Sequence, residues 1–291
     1  MDCPICFSTT IATKHSMKNG HAVLRCGQCS TEFLFPQLND EALQQLYSES
    51  YYAAWGLKGD ADNEATRQMK MATFGLRLNL LARLGKQGRL LDVGCATGYL
   101  LEAAQGRGWA PYGVEYAAWS ATMAQKKFGS EAIFNGTLEQ CNFPENFFDA
   151  IVMSDLIEHV RRPQETLLKA RTLLKDEGLL LIVTPDTASL SHHLMGKRWT
   201  HYKPEHFFYF NRRSFQYLAN EGGWEIIHYE KAAKALNIDY FHTQFNVYSH
   251  WLLTPLVNTL HTLLPKKAGR HNFFLSIGEM VLVLKKQREQ K

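Results

Sequence analysis

The sequence predicts an α/β fold: a doubly wound, seven-stranded, mostly parallel sheet with a small metal-stapled module ahead of it. Three observations predict it. Two CxxC pairs open the chain, Cys3-Pro4-Ile5-Cys6 and Cys26-Gly27-Gln28-Cys29. A glycine-punctuated turn, Leu90-Leu91-Asp92-Val93-Gly94-Cys95-Ala96-Thr97-Gly98, falls where a strand pattern gives way to a helix pattern. Around that turn, strand and helix patterns alternate from residue 89 to residue 184, the signature of parallel strands joined by helical crossovers.

Composition sets the outer bounds. A chain of 291 residues, 45% hydrophobic and 21% charged, can bury one large core plus a small appendage. Its apolar runs fall short of the roughly 20 residues that a spanning helix needs. Met1-Asp2-Cys3 leads straight into a cysteine turn, so no secretory leader is expected. Six cysteines, four of them in tight pairs, suit a reducing compartment, and a cytoplasmic location is expected. The net charge of +4 is uneven: from Pro265 to Lys291, seven Lys/Arg stand against two Glu. A basic tail of this kind reads as a solvated end, and a nucleic-acid partner is not expected.

Taken in order, the first element is the cysteine module, residues 1–36. Zinc needs four soft ligands in a tetrahedron, and each CxxC turn supplies two thiolates. Cys3, Cys6, Cys26 and Cys29 are therefore the expected ligands. The nineteen residues between the pairs, including His21-Ala22-Val23-Leu24-Arg25, can form the hairpin of a zinc ribbon. A segment of about 35 residues is too short to fold on its own core, so the metal is expected to be a structural staple. Four cysteine ligands also leave no open position for catalysis. Cys95 and Cys141 lie outside the pattern and read as buried thiols.

Residues 37–63 read as a linker. Asn39-Asp40-Glu41 caps a helix carrying Leu43, Leu46 and Tyr47. The aromatic run Tyr51-Tyr52-Ala53-Ala54-Trp55-Gly56 follows, a packing plug placed to close over the main domain, residues 64–291. That domain opens with a stretch from Glu64 to Leu84 in which Met69, Met71, Phe74, Leu76, Leu78, Leu80, Leu81 and Leu84 read as a helix packed on a sheet. Strands are expected at Arg89–Val93, Tyr112–Glu115, Ala132–Phe134, Asp149–Met153 and Leu179–Thr184, the last almost wholly apolar as for a central parallel strand. Helices are expected at Gly98–Gln105, Ala117–Phe128 and Pro163–Leu174, the third beginning on a proline. A further helix starts at Asn211, Trp224–Tyr229 forms strand six, and Glu279–Lys285 forms an antiparallel strand seven. Between those two strands lies an insertion at about 231–276, longer than an ordinary hairpin connection. Its stripe Leu252, Leu253, Leu256, Val257, Leu260, Leu263, Leu264 fits a helix packed on the domain or on the partner of a homodimer. Lys266, Lys267 and Arg270 follow at once, giving residues 250–270 a second reading as a contact with an anionic membrane surface.

The glycine turn points to a nucleoside ligand. Its glycines let the backbone approach closely, and the helix after it offers free N–H groups. Glu115 ends the next strand, seventeen residues beyond Gly98, where a carboxylate can accept both hydroxyl hydrogens of a ribose. Gly94-Cys95-Ala96-Thr97-Gly98 matches neither the G-x-G-x-x-G of nicotinamide sites nor a phosphate loop. The chain instead resembles the class I S-adenosylmethionine-dependent methyltransferases. Leu91-Asp92-Val93-Gly94-Cys95-Ala96-Thr97-Gly98 looks like their first motif and Val114-Glu115 like their acidic strand end. Phe147-Phe148-Asp149-Ala150-Ile151-Val152-Met153-Ser154-Asp155-Leu156-Ile157-Glu158-His159-Val160 resembles the fourth-strand motif, and Leu174-Lys175-Asp176-Glu177-Gly178-Leu179-Leu180 the turn into strand five.

That resemblance implies a methyltransferase domain with S-adenosylmethionine as cofactor. By it, Asp92, Gly94, Ala96 and Gly98 surround the methionine part, Glu115 takes the ribose and Tyr116 packs on the adenine. Thr137, Leu138 and Ser154 complete the expected set. Ala96 stands in place of the family's middle glycine, and Thr137 in place of an Asp that reads the adenine amino group. Two histidines are candidates for removing an acceptor proton: His159, just past the fourth strand, and His206, in an aromatic segment after strand five. Each also has a structural reading, His159 as a turn hydrogen bond and His206 as part of a lid. His192, His193 and His201 read as loop residues. The expected acceptor is a small molecule, a hydroxyl of a sugar or cell-surface glycan precursor. The alternative is an RNA methyltransferase that grips RNA with its ribbon, although Ser154-Asp155-Leu156-Ile157 lacks the Pro-Pro-aromatic pattern used on nucleobase amino groups. A third reading is a non-catalytic interaction protein.

Overall fold

Three short antiparallel strands follow the first cysteine turn in the computed structural model, which describes residues 1–17, 20–46, 64–239, 242, 253–264, 269 and 271–287. They are β1 (Ile11–Ser16), β2 (Ala22–Cys26) and β3 (Glu32–Phe35), with Ile11 opposite Cys26 and Ala22 opposite Phe35. Val23, Leu24, Phe33 and Leu34 are buried. Helix α1 (Asp40–Leu46) begins with Asn39 Oδ1 accepting the Ala42 N–H at 2.9 Å. The aromatic run at 51–56 lies outside the described residues.

The main domain then alternates as its periodicity predicts. Helix α2 (Glu64–Arg83) precedes β4 (Arg89–Val93), α3 (Tyr99–Gln105), β5 (Ala110–Glu115), α4 (Ala118–Phe128) and β6 (Ile133–Asn135). Next come β7 (Phe148–Ser154), α5 (Pro163–Leu173), β8 (Leu174–Pro185), α6 (Leu190–Met195), β9 (Phe208–Tyr209), α7 (Arg212–Glu221) and β10 (Trp224–Lys231). The chain ends with β11 (Lys234–Leu236), α8 (Leu253–Leu263), β12 (Phe273–Leu275) and β13 (Glu279–Lys286). Seven strands form one sheet in the order β10-β13-β8-β7-β4-β5-β6. Only β13 runs against the rest, pairing antiparallel with both β10 and β8.

Successive residues of the central strands point to opposite faces. Leu180 and Ile182 of β8 and Met280, Leu282 and Leu284 of β13 join one apolar cluster. Leu179, Leu181 and Val183 of β8, with Val281 and Val283 of β13, join the other, against α2 and α3. Strand β8 begins earlier than expected because Leu174 already pairs with Phe148, ahead of a register shift. A Cβ on Gly178 would come within 2.6 Å of the Leu174 side chain, so the glycine lets the chain fold back tightly there.

Two features depart from expectation. The ribbon sheet has a fourth strand, β9, which pairs antiparallel with β3 so that Phe33 faces Phe208. Cys3, Ile5, Leu24, Phe33 and Leu34 belong to the same buried cluster as Phe207, Phe208, Phe210 and Phe215. The ribbon therefore shares the main core and does not depend on a metal alone for support. Secondly, the helix expected from the leucine stripe is present as α8, but Leu256, Leu260 and Leu263 are 55%, 40% and 76% exposed. Packing of that stripe on the described domain is thereby corrected; Leu252, Lys266, Lys267 and Arg270 lie outside the described residues. Among the described residues no helix is long and apolar enough to cross a membrane.

Candidate active site

The site begins where β4 runs into its turn. Gly94 and Gly98 adopt φ of +79° and +90°, and Ala96 takes +47°, a left-handed conformation that costs a residue with a Cβ about 1–2 kcal/mol. A Cβ at Gly94 would sit 3.0 Å from Leu156, and one at Gly98 2.6 Å from Phe128. The Gly94 and Cys95 N–H groups donate to the Val114 carbonyl at 2.8 and 3.1 Å, bending the turn toward β5. At the end of β5, Glu115 Oε2 accepts the Ala96 N–H and Oε1 the Ala117 N–H, both at 2.8 Å. A carboxylate offers about four acceptor positions, so these bonds fix its orientation and are compatible with a diol ligand.

Asp92, Gly94, Ala96, Glu115, Tyr116, Thr137, Leu138 and Ser154 line one cleft. Gly98 stands behind the turn as the N-cap of α3 rather than in the lining described. The cleft measures about 1490 Å³, larger than the roughly 300–1,000 Å³ of a typical single-ligand site, and has room for two ligands side by side. Asp92 is buried, and burial together with the nearby Glu115 charge lifts its carboxyl to about 8.

The other end of the same cleft carries both candidate histidines. The His159 and His206 rings meet edge to face with centroids 4.5 Å apart. His159 Nδ1 is 3.1 Å from the Glu205 carbonyl oxygen; a carbonyl can only accept, so Nδ1 donates and Nε2 is left as the acceptor. Burial holds His159 down to about 4 and, with His159 beside it, His206 well below the ordinary imidazole value. Both rings are therefore neutral near pH 7. Glu158, buried beneath them, accepts the Thr184 hydroxyl at 2.9 Å, and burial and the Asp155 charge push its carboxyl well up. Ligand atoms of Glu158, His159 and His206 all lie within 4.8 Å of one another, a donor set able to take up a proton or a divalent cation.

Other residues here were not singled out from the sequence. Lys234 Nζ lies 2.6 Å from Glu279 and 3.4 Å from Asp155, and all three line the cleft. They come from β11, the start of β13 and the end of β7, so no local pattern announces them. His201 also lines the cleft. His192 sits in α6 within reach of Lys14 Nζ and the Tyr202 hydroxyl, both at 2.9 Å, while His193 Nδ1 meets the Ser189 carbonyl at 2.8 Å.

At the ribbon, Cys3 and Cys29 sulfurs are 3.6 Å apart, Cys6 and Cys26 sulfurs 3.5 Å, and all four lie within 4.8 Å of one another. Tetrahedral zinc with bonds of about 2.3 Å would hold its sulfurs about 3.8 Å apart. The Ile5 N–H and Thr31 Oγ1 approach Cys3 and Cys29 sulfurs at 3.5 and 3.1 Å, as outer partners of thiolate ligands do. These residues fit the metal.

Comparison with known proteins agrees with this geometry. Two solved structures share the fold. One is an S-adenosylmethionine-dependent methyltransferase of Thermotoga maritima, 17% identical, with a TM-score of 0.55 over 85% of this chain and 99% of that one. The other is the magnesium protoporphyrin IX methyltransferase of Synechocystis PCC 6803, 13% identical, with a TM-score of 0.55 over 86% and 100% of the two chains. A curated relative, the ubiquinone biosynthesis O-methyltransferase of Glaesserella parasuis serovar 5 (strain SH0165), is 27% identical over 116 residues, 37% of this chain and 49% of that protein. The chain thus spans about half the length of that relative. The profile of the methyltransferase-domain family matches residues 65–229, more than half of the chain. The chain belongs to the methyltransferase-domain family.

Proposed function

We propose that the protein transfers the methyl group of S-adenosylmethionine to a hydroxyl of a small-molecule acceptor. The observation that carries this reading is one cleft with the Gly94–Gly98 turn and Glu115 at one end and the His159–His206 pair at the other. The O-methyltransferase named among the curated relatives supports a small-molecule oxygen acceptor. A sugar or glycan-precursor hydroxyl is the acceptor class we put forward. Reduced ribbon thiols fit a cytoplasmic setting.

When bound, S-adenosylmethionine supplies an electrophilic methyl on a sulfonium that departs as a neutral thioether. Glu115, held by its two backbone N–H donors, accepts the ribose hydroxyls. Asp92 faces the cationic methionine end, and Gly94 and Ala96 let the backbone approach it. Tyr116 packs on the adenine, with Thr137, Leu138 and Ser154 around it, and Gly98 starts the helix beneath. His159 Nε2 accepts the acceptor's hydroxyl proton. His206 confines the acceptor against His159. Cys3, Cys6, Cys26 and Cys29 hold a structural zinc.

Calorimetric titration of zinc-loaded protein with S-adenosylmethionine, then a labelled-methyl screen over nucleotide sugars, quinol precursors and total RNA, tests the reading. Binding with transfer into a sugar pool is the expected result. Transfer into quinol precursors alone replaces the acceptor class, transfer into RNA alone replaces the small-molecule reading, and absence of binding removes the activity.

A further inference from the structure

Hydrogen bonds of the ribbon reach the acceptor half of the cleft. Its third strand, β3, is bonded to the segment that carries His206: the Leu34 N–H donates to the Phe207 carbonyl at 2.9 Å, and Phe33 pairs with Phe208. The Phe207 N–H in turn donates to the Glu158 carbonyl at 2.8 Å. A single residue thus joins β3 to the short helix Ile157–His159, with His206 immediately before Phe207 and His159 immediately after Glu158.

A second clamp grips the same segment five residues earlier. Glu32, 1% exposed, accepts the Tyr202 hydroxyl at 2.6 Å and the Lys14 ammonium at 2.5 Å. A buried carboxylate bonded in this way fixes its donors firmly, since losing one would strand a charge away from water. Arg161 adds a third tie, donating to the Leu38 carbonyl at 2.6 Å and to Asp40 at 2.8 Å while lying over the Phe207 ring. By contrast, the Gly94, Cys95 and Ala96 N–H groups of the cofactor turn donate to Val114 and Glu115, and the Thr97 carbonyl accepts Lys127 Nζ of α4 at 3.2 Å.

We infer that the cysteine ribbon is the positioning element of the acceptor half: through Phe207 and Tyr202 it sets the His159–His206 pair, and leaves the cofactor half alone. This rests on the reading of the cleft given above. Glu32 and Tyr202 are positioning residues, acting through the segment they hold. Zinc at Cys3, Cys6, Cys26 and Cys29 fixes the turn ahead of β1 and the turn that joins β2 to β3, so transfer depends on the metal while cofactor binding does not.

The test uses the full chain, zinc-loaded and after metal removal with a mercurial and a chelator. Amide hydrogen exchange is followed together with calorimetric binding of S-adenosylhomocysteine. Expected is exchange at least about tenfold faster at Leu34, Phe207 and Phe208, unchanged exchange at residues 94–98 and 114–115, and a Kd within about twofold. Tyr202→Phe, with the ribbon's zinc content intact, should shift the His159 and His206 imidazole resonances and leave the Kd within the same range. Unchanged exchange at residues 201–210 on metal removal, or unmoved imidazole signals in Tyr202→Phe, overturns the inference. So does affinity lost in step with the metal. Zinc-loaded protein that binds no S-adenosylhomocysteine instead overturns the cofactor reading, while the exchange pattern still decides the positioning claim.

Discussion

The two ends of the cleft are built on different principles. The cofactor end comes from one contiguous β–turn–α–β stretch, in which backbone groups from Gly94 to Ala117 satisfy one another and Glu115. The acceptor end is assembled from β7, the Ile157–His159 turn, residues 201–206, Lys234 and Glu279, pieces far apart in the chain. A local construction withstands change elsewhere in the chain. A dispersed one needs outside support, and the ribbon supplies it.

The largest expected effect separates the ends most sharply. His159→Ala should lower turnover by about 10²–10⁴-fold, the range for loss of a positioned base, and leave cofactor affinity unchanged. Steady-state rates with calorimetry check this, and an equal loss of affinity would break the comparison. Glu115→Ala should act in the opposite way. Loss of charge-assisted bonds at about 1.5–3 kcal/mol corresponds to a Kd for S-adenosylmethionine weakened by roughly 10–100-fold, and a Kd that does not move would remove Glu115 from the ribose.

A pH titration sharpens the same division. Free Asp92 titrates near 8, so below that pH the carboxyl is mostly protonated, and a cationic ligand beside it must draw the proton off. Affinity should therefore rise by up to about tenfold per pH unit from pH 6 toward 8 and level off above. Asp92→Asn should flatten that slope. The smallest effect concerns the turn itself: Ala96→Gly removes left-handed strain of about 1–2 kcal/mol but adds unfolded-chain freedom of about 0.5–1 kcal/mol. A rise in folding stability of about 1 kcal/mol or less, read from denaturant melts, is expected, and a fall would show that Ala96 packs usefully where it is.

What the sequence made legible follows the same line. Strands β4, β7 and β13 fall within one residue of their expected ends, because each carries a short, nearly continuous apolar run, the mark of a strand buried on both faces. The glycine turn and Glu115 were readable because their spacing is local. Strand β9, two residues long, and the three-residue pair β11–β12 carry too few positions to show a period. Lys234 and Glu279 are ordinary charges until the sheet places them 2.6 Å apart. Ribbon and core are joined through Phe33 and Phe208, far apart in sequence; the CxxC spacing could show the staple but not what it is stapled to.

Antiparallel β13 has a consequence of its own. Because Met280 lies opposite both Lys231 and Thr184, the chain between β10 and β13 leaves and re-enters the sheet at the edge where the cleft opens. The described residues of that connection reach the cleft: Lys234, Ala235, Leu236 and Ile277 line it. A substitution at those positions alters the cleft wall without touching a residue of the cofactor turn.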